Sequence, residues 1–417
     1  MTEAPPDPRS ATRITWGLFL AHAFGSAGII CTATVAAIVG AELSGRAALS
    51  GVPAAAAQIG GALAALLVGA WTERFGRRRG LTAAAALGVG GMTAAAASAV
   101  TGTFVLLVVG LLVSGAAGAA VKFARFTAAE VQPRARRGRA VATVVMGGTV
   151  GSVLGPVLVA PSGAAAVAAG LPELAGPYLV TVLLFGAAAL AFQAFLRPEP
   201  RELAAYWDAR ERSDAGPDRE EPPVRPLTEL IRDPGVATAM ATLVLAQAVM
   251  VMVMAITSLH MHVHHHALAS ISVVIAGHTL GMYAFSVVSG FATDRYGRLP
   301  VLLTGGGVLF VSCVLAPLSP AFVPLFLALF LLGVGWNLCY VAGSAWLTDC
   351  LRTAEKARTQ GVNDLFMGTV SAASSLGGGV VFAVFGYGAM AAAGAVGAAA
   401  LIVLVARYAR GARTVAA

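Results

Sequence analysis

Twelve apolar stretches, each close to the length that crosses a lipid bilayer, run through the 417 residues and restrict the fold more than any other feature. An α-helix rises 1.5 Å per residue, so about 20 apolar residues span the hydrocarbon layer. The stretches fall near 14–39, 47–70, 80–100, 103–123, 140–160, 178–196, 236–259, 268–292, 301–317, 322–347, 360–385 and 389–405. Backbone polar groups in hydrocarbon find no water, so each stretch must satisfy its own hydrogen bonds, and an apolar run of this length does so as a helix. The expected class is an all-α membrane protein. Composition agrees: charged residues make up 12% of the chain, against about 25% in soluble domains.

Between the second and third stretches lies a short basic turn, Gly-Ala-Trp-Thr-Glu-Arg-Phe-Gly-Arg-Arg-Arg at 69–79. It is too charged for hydrocarbon and too short to be a domain. A second copy, Gly-Phe-Ala-Thr-Asp-Arg-Tyr-Gly-Arg, stands at 290–298, between the eighth and ninth stretches and 221 residues later. One motif repeated at about half the chain length predicts two similar six-helix halves. We place the first half at 1–196, a linker at 197–234 and the second half at 235–417.

The repeated turn resembles the loop between helices 2 and 3 of major facilitator superfamily transporters, G-x-x-x-D-R-x-G-R-R. Glu73 stands where that family usually has Asp, and Leu299 and Pro300 replace the last basic residues of the second copy. The resemblance implies two pseudo-symmetric six-helix bundles working by alternating access. It covers the whole chain, because the helix count, the spacing and both copies fit.

Twelve spans put both termini on one side. With the N-terminus inside, the outer loops hold one basic residue, Arg46, and the other 27 of the 28 Lys and Arg fall on the inner side or at inner helix ends. This is a strong positive-inside pattern. It predicts a multi-pass protein of the cell membrane with cytoplasmic termini, and it assigns the net charge of +8 to topology rather than to nucleic acid. The polar start at 1–13 carries no cleavable signal, and the first stretch is long enough to remain an anchor. Segment 197–233 mixes charges of both signs and reads as a cytoplasmic tether with a surface helix near 202–212. Cys31, Cys313, Cys339 and Cys350 are scattered without metal or redox spacing and read as small apolar packers.

The halves align beyond the turn. Glu130 and Arg139 follow the fourth stretch, and Asp349 and Arg358 follow the tenth. The resemblance implies that Glu73, Arg74, Arg77 and Glu130 form a cytoplasmic gate, as do Asp294, Arg295, Arg298 and Asp349. The competing reading is that these charges only enforce topology. On the fifth stretch, Gly147, Gly151, Gly155 and Pro156 resemble the helix-5 signature of drug/proton antiporters, with Val159 and Ala160 in place of its final glycines. That likeness implies export by exchange. Ordinary small-residue packing explains the glycines as well.

Ionisable and amide side chains inside a span are costly, so each is a candidate. In the superfamily, helices 1, 4, 7 and 10 line the central cavity. By that analogy His22, Gln247, Met250, Trp336, Asn337 and Tyr340 are placed at a substrate cavity, where aromatics, Met and a few amides suit amphipathic organic molecules. Core packing is the alternative for Met and the aromatics. His278 and Asp364 are candidates for carrying a coupling proton, against a packing histidine and a carboxylate paired near the inner face. His260, His262, His264, His265 and His266 gather on the outer side. Imidazoles at this spacing suit a soft divalent metal, but no acid or Cys accompanies them, and a polar or pH-responsive loop is the favoured reading.

No phosphate-binding G-x-x-x-x-G-K-[ST] motif and no nucleophile–base constellation are present, so neither an ATP-driven pump nor an enzyme is expected. The expected activity is proton-coupled efflux of small amphipathic organic molecules by a monomer that needs no cofactor. The partners are the substrate, protons and the bilayer. A specific importer or metabolite permease is the alternative, as is a metal or metal-chelate transporter resting on the histidine loop.

Overall fold

The computed structural model describes residues 8–214 and 225–416, and helices account for most of them. Eleven helical stretches among these residues are long and apolar enough to cross a membrane. The last, Arg358–Gly411, holds two spans, because Gly386 at φ 79° and ψ 179° interrupts the helix. Twelve spans result, as the apolar pattern requires. They are α1 (Pro8–Ser44), α2 (Val52–Phe75), α3 (Arg77–Thr101), α4 (Phe104–Glu130), α5 (Arg137–Val157) and α6 (Gly176–Phe195) in the first half. The second half has α7 (Pro234–Val263), α8 (Leu268–Tyr283, continued by Ser286–Tyr296), α9 (Arg298–Leu315), α10 (Phe322–Asp349), α11 (353–385) and α12 (387–416). A surface helix, Pro200–Asp214, and a shorter one, Leu227–Arg232, occupy the linker. The Glu-Glu-Pro-Pro run at 220–223 lies outside the described residues.

Contacts group the chain into two compact units. One takes the residues up to Ala33 and those from Ala56 to Pro222, and the other takes Thr34–Ala55 and the residues from Pro223 onward. In the first unit Ile14, Leu18, Leu81, Phe192 and Leu196 form a fully buried apolar core. Gly91 of α3 lies so close to α4 that a Cβ there would meet the Gly110 carbonyl oxygen and the Ser114 nitrogen at 2.5 Å. Small residues of this kind let helix backbones approach where the hydrophobic effect offers no drive. In the second unit Gly281 and Gly333 bring α8 and α10 together in the same manner, and Gly305 packs on Cys339. The stretch Thr34–Ala55 joins this unit because Gly51 lies against the Ser375 backbone of α11 and Glu42 bonds His262 at 2.9 Å.

Both copies of the basic turn adopt one backbone shape. Gly76 has φ 88° and ψ 162°, and Gly297 has φ 90° and ψ 165°. That region is almost exclusive to glycine, which explains why Gly holds the same place in both copies. Two helices are broken where a single run was expected. α5 stops just after Pro156 and resumes as Val159–Ala168. α8 breaks at Ala284 and Phe285, and Asn337 of α10 stitches the break, donating to the Met282 carbonyl at 2.6 Å and to Ser286 Oγ at 2.9 Å. Ser289 Oγ donates to Asn337 Oδ1 at 2.5 Å.

Candidate functional site

In the second unit the expected cavity residues divide. Trp336 and Tyr340 sit one turn apart on α10, a spacing that places them on one face. Their rings stack at 4.7 Å with 14° between planes. Tyr283 of α8 meets Trp336 edge-on at 6.4 Å. Gln247 of α7 is half-buried beside them. Its Oε1 accepts from the Trp336 indole nitrogen at 2.9 Å, and its Nε2 donates to Ser371 Oγ of α11 at 2.9 Å. Four helices therefore converge on a flat aromatic platform edged by an oriented amide. Met250 is buried at 5% exposure, and Asn337 at 2%, with both ends of its amide spent on α8. Sequence reading did not single out Tyr283 or Ser371, since neither stands out in an apolar helix.

In the first unit α5 lies directly on α1. A Cβ on Gly147, Gly151 or Gly155 would overlap the carbonyl oxygens of Phe19, Ala23 and Ala27 respectively, and one on Gly148 would meet His22 Nε2 at 2.8 Å. The glycine run is thus a backbone contact surface, and it seats His22 against α5. Pro156 is buried at its end. Arg125 of α4 is within electrostatic range of His22 and lies over the Phe126 ring at 4.9 Å. Lys122, one turn earlier, is exposed. Lys122 and Arg125 stand eight and five residues inside α4, about 12 and 8 Å from its end at Glu130. Counting them with the inner-end charges hid them from the sequence reading.

The two candidates for carrying protons differ in access. His278 has no exposed surface, and its Nδ1 bonds the Leu329 carbonyl at 2.9 Å. A carbonyl accepts, so Nδ1 carries the proton there. Asp364 is exposed on α11.

At the first basic turn, Arg77 holds Glu130 through two bonds of 2.9 and 2.6 Å and donates to Thr72 Oγ1 at 2.9 Å. Arg298 bonds Asp349 at 2.8 Å, lies 3.8 Å from Asp294 and donates to the Thr293 carbonyl at 3.4 Å. The second copy repeats the ion pair of the first, with the Thr293 carbonyl in place of Thr72 Oγ1, and each pair ties the basic turn to the end of the fourth helix of its own unit. Glu73 and Arg74 are exposed: the Glu73 carbonyl accepts from Arg201, and Arg74 lies over the Phe75 ring at 5.2 Å. Arg295 is exposed as well.

Two further contacts, made by the linker and its flanking residues, had no motif to reveal them. Glu199 accepts from the Arg78 backbone nitrogen at 3.2 Å, at the N-terminus of α3. Glu355, fully enclosed in the first turn of α11, binds Arg225 through bonds of 2.9 and 2.8 Å and also accepts from the Arg352 backbone nitrogen at 3.0 Å. The hydrogen-bonded Arg225 guanidinium holds the Glu355 carboxyl at about 2, well below its usual 4.5.

The histidines of the 260–266 stretch mostly take separate partners, although the His260 and His264 rings lie 4.4 Å apart. His260 stacks on Tyr387 at 4.0 Å, His262 bonds Glu42, His264 bonds the His260 carbonyl at 2.8 Å, and His266 bonds the Pro320 carbonyl at 2.8 Å. His265 turns the chain at φ 60°. Among the described residues no three His, Cys, Asp or Glu side chains come together as a metal site.

The family model described as Major Facilitator Superfamily matches residues 18–269 and 239–416. The MFS-type transporter YdeG of Bacillus subtilis is 32% identical over 370 residues, covering 88% of this chain and 85% of the relative. The riboflavin transporter RfnT of Brucella anthropi is 29% identical over 385 residues, 91% of each chain. Among solved structures, a bacterial homologue of the human lysosomal transporter Spinster aligns with a TM-score of 0.67 over 96% of this chain and 95% of its own, at 16% identity, a likeness of fold.

Proposed function

This chain belongs to the major facilitator superfamily and is a transporter; from that premise we propose that it moves small, flat, amphipathic organic molecules outward in exchange for protons. The observation that carries the substrate class is the Trp336–Tyr340 stack with the Gln247 amide at its edge. Stacked rings offer a face for a planar apolar body, and an oriented amide supplies a donor and an acceptor for its polar edge. The likeness of the α5 glycine run to the antiporter signature supports export. Proton exchange is placed on Asp364, because its carboxylate is exposed, while His278 is sealed in packed helices. A coupling group must reach the side that supplies the proton and the side that takes it up.

A second reading, import of a flat heterocycle, draws on the similarity over 91% of both chains to a protein named as a riboflavin transporter. Both readings use the same platform and differ in direction and coupling.

The test is transport in proteoliposomes under an imposed pH gradient, with a panel of planar dyes and drugs plus riboflavin. Gln247→Ala and Trp336→Ala are expected to reduce flux ten-fold or more. Asp364→Asn is expected to keep exchange and to lose gradient-driven accumulation. Accumulation that survives Asp364→Asn removes that residue from coupling, and flux indifferent to the pH gradient in the wild-type protein favours the import reading.

A further inference from the structure

The charges that serve the shared scaffold occur twice: Thr72, Arg77 and Glu130 are repeated as Thr293, Arg298 and Asp349. Lys122 and Arg125 are not. Carried forward by the 219 residues that separate Glu130 from Asp349, their places on α10 hold Val341 and Ser344. Two cations within one span therefore have no counterpart in the duplicated architecture, and building the fold does not require them.

Their direction is set by α4 itself. Gly118 and Val121 face α1, where Gly118 approaches Ile29 and Val121 fills the space beside Gly25. Lys122 and Arg125 follow at helical spacings of four from each, so they continue this α1-facing stripe. Arg125 reaches the neighbourhood of His22, which α5 holds in place through Gly148. Snorkelling to the headgroups, the usual fate of a cation near a helix end, does not explain a cation turned toward a neighbouring helix. Charge counting gives the sign of the site. Asp364 is the one acid clearly past a helix end, and a single carboxylate does not neutralise two cations.

We propose that Lys122 and Arg125 bind an acidic group of the cargo, so that the transported molecules are organic anions bearing a carboxylate or a phosphate ester. The proposal rests on the reading of the chain as a carrier of flat organic molecules and adds the charge. Arg125 presents a fork that matches carboxylate and phosphate oxygens, and Lys122 supplies a mobile point charge.

The experiment uses the full chain in phosphatidylcholine nanodiscs. The probes are 1-naphthoate and 1-naphthyl phosphate, with 1-naphthamide and 1-naphthylmethylamine as the matched neutral and cationic compounds, and binding is read from the thermal unfolding midpoint. The anions are expected to bind at least ten-fold more tightly than the amide. Lys122→Gln and Arg125→Gln are each expected to cut that advantage ten-fold, while Arg125→Lys retains part of it. Lys122 is exposed, so its variant keeps the packing intact if Arg125→Gln misfolds. The proposal is overturned if no anion binds, if the amide binds as well as the anions, or if the preference survives both substitutions. It is overturned too if phosphatidylglycerol nanodiscs give the whole charge-dependent shift without a probe, which makes the site a headgroup contact. Binding of the amide or amine as tight as that of the anions, and lost in Trp336→Ala, removes the anion site and leaves the carrier reading standing. No binding by any compound, with no flux of any, removes both.

Discussion

Glu355 shows how a single carboxylate fastens the linker to a bundle. Its side chain has no exposed surface and meets Arg225 and two backbone nitrogens. Because the folded pKa, about 2, lies below the usual 4.5, the ionised form is favoured in the folded state. The stability it adds is complete above about pH 4.5 and is lost as pH falls toward 2. Glu355→Gln is therefore expected to lower the thermal midpoint by several degrees at pH 7 and to flatten the part of the pH dependence between 4.5 and 2. An unchanged profile would assign the acid sensitivity to other carboxylates. Nothing in the sequence marks Glu355, since one Glu in a short polar stretch has no pattern. Arg77, Glu130, Arg298 and Asp349 were legible because the chain spells them twice. Gln247, Trp336 and Tyr340 stood out as polar or aromatic groups in apolar spans, yet their mutual contacts depend on the rotation of two separate helices.

At the scale of elements, the turn glycines are the most constrained positions. Gly76 and Gly297 hold φ near +90°, where a Cβ is strained. Gly76→Ala would also press a methyl onto the Glu199 carboxylate at 2.7 Å. Each substitution is expected to cost about 1–3 kcal/mol, read as a lowered unfolding midpoint, with Gly76→Ala the larger because of that added contact. Equal and negligible shifts would mean that the turns relax freely. The turns were legible because positive φ selects glycine at a fixed place in the motif. The break in α8 was not, because it contains neither Pro nor Gly and is stabilised from α10 by Asn337. A side chain that repairs a break from another helix leaves no local signal.

For the whole molecule, the distribution of Arg and Lys predicts an orientation with cytoplasmic termini. In intact cells an impermeant maleimide is expected to label Leu318→Cys, between α9 and α10, and to reach Glu202→Cys on the linker helix only after lysis. Both positions are exposed, Cys31, Cys313 and Cys339 are buried, and the partly exposed Cys350 is replaced by Ser to keep the background low. The reverse pattern would invert the topology. The compact units depart from the linear halves at one point: Thr34–Ala55, the end of α1 and the start of α2, packs within the second unit. Glycine 51, which permits that contact, looks like any other glycine in the sequence.

What the sequence determined by itself was everything that periodicity, length and repetition encode: the apolar spans, the twice-spelled basic turn with its paired charges, and the superfamily. Hydrocarbon imposes these locally, since a segment that enters it must be helical and about 20 residues long whatever its neighbours are. Only the tertiary structure decided which side chains meet. It formed the Trp336–Tyr340–Gln247 platform, spent Asn337 on α8, enclosed His278, gave the histidines of the 260–266 stretch mostly separate partners and seated His22 against α5. The reason is physical. In an apolar solvent each helix is stable at any rotation about its own axis, and close packing between small residues on facing helices selects the one that is used.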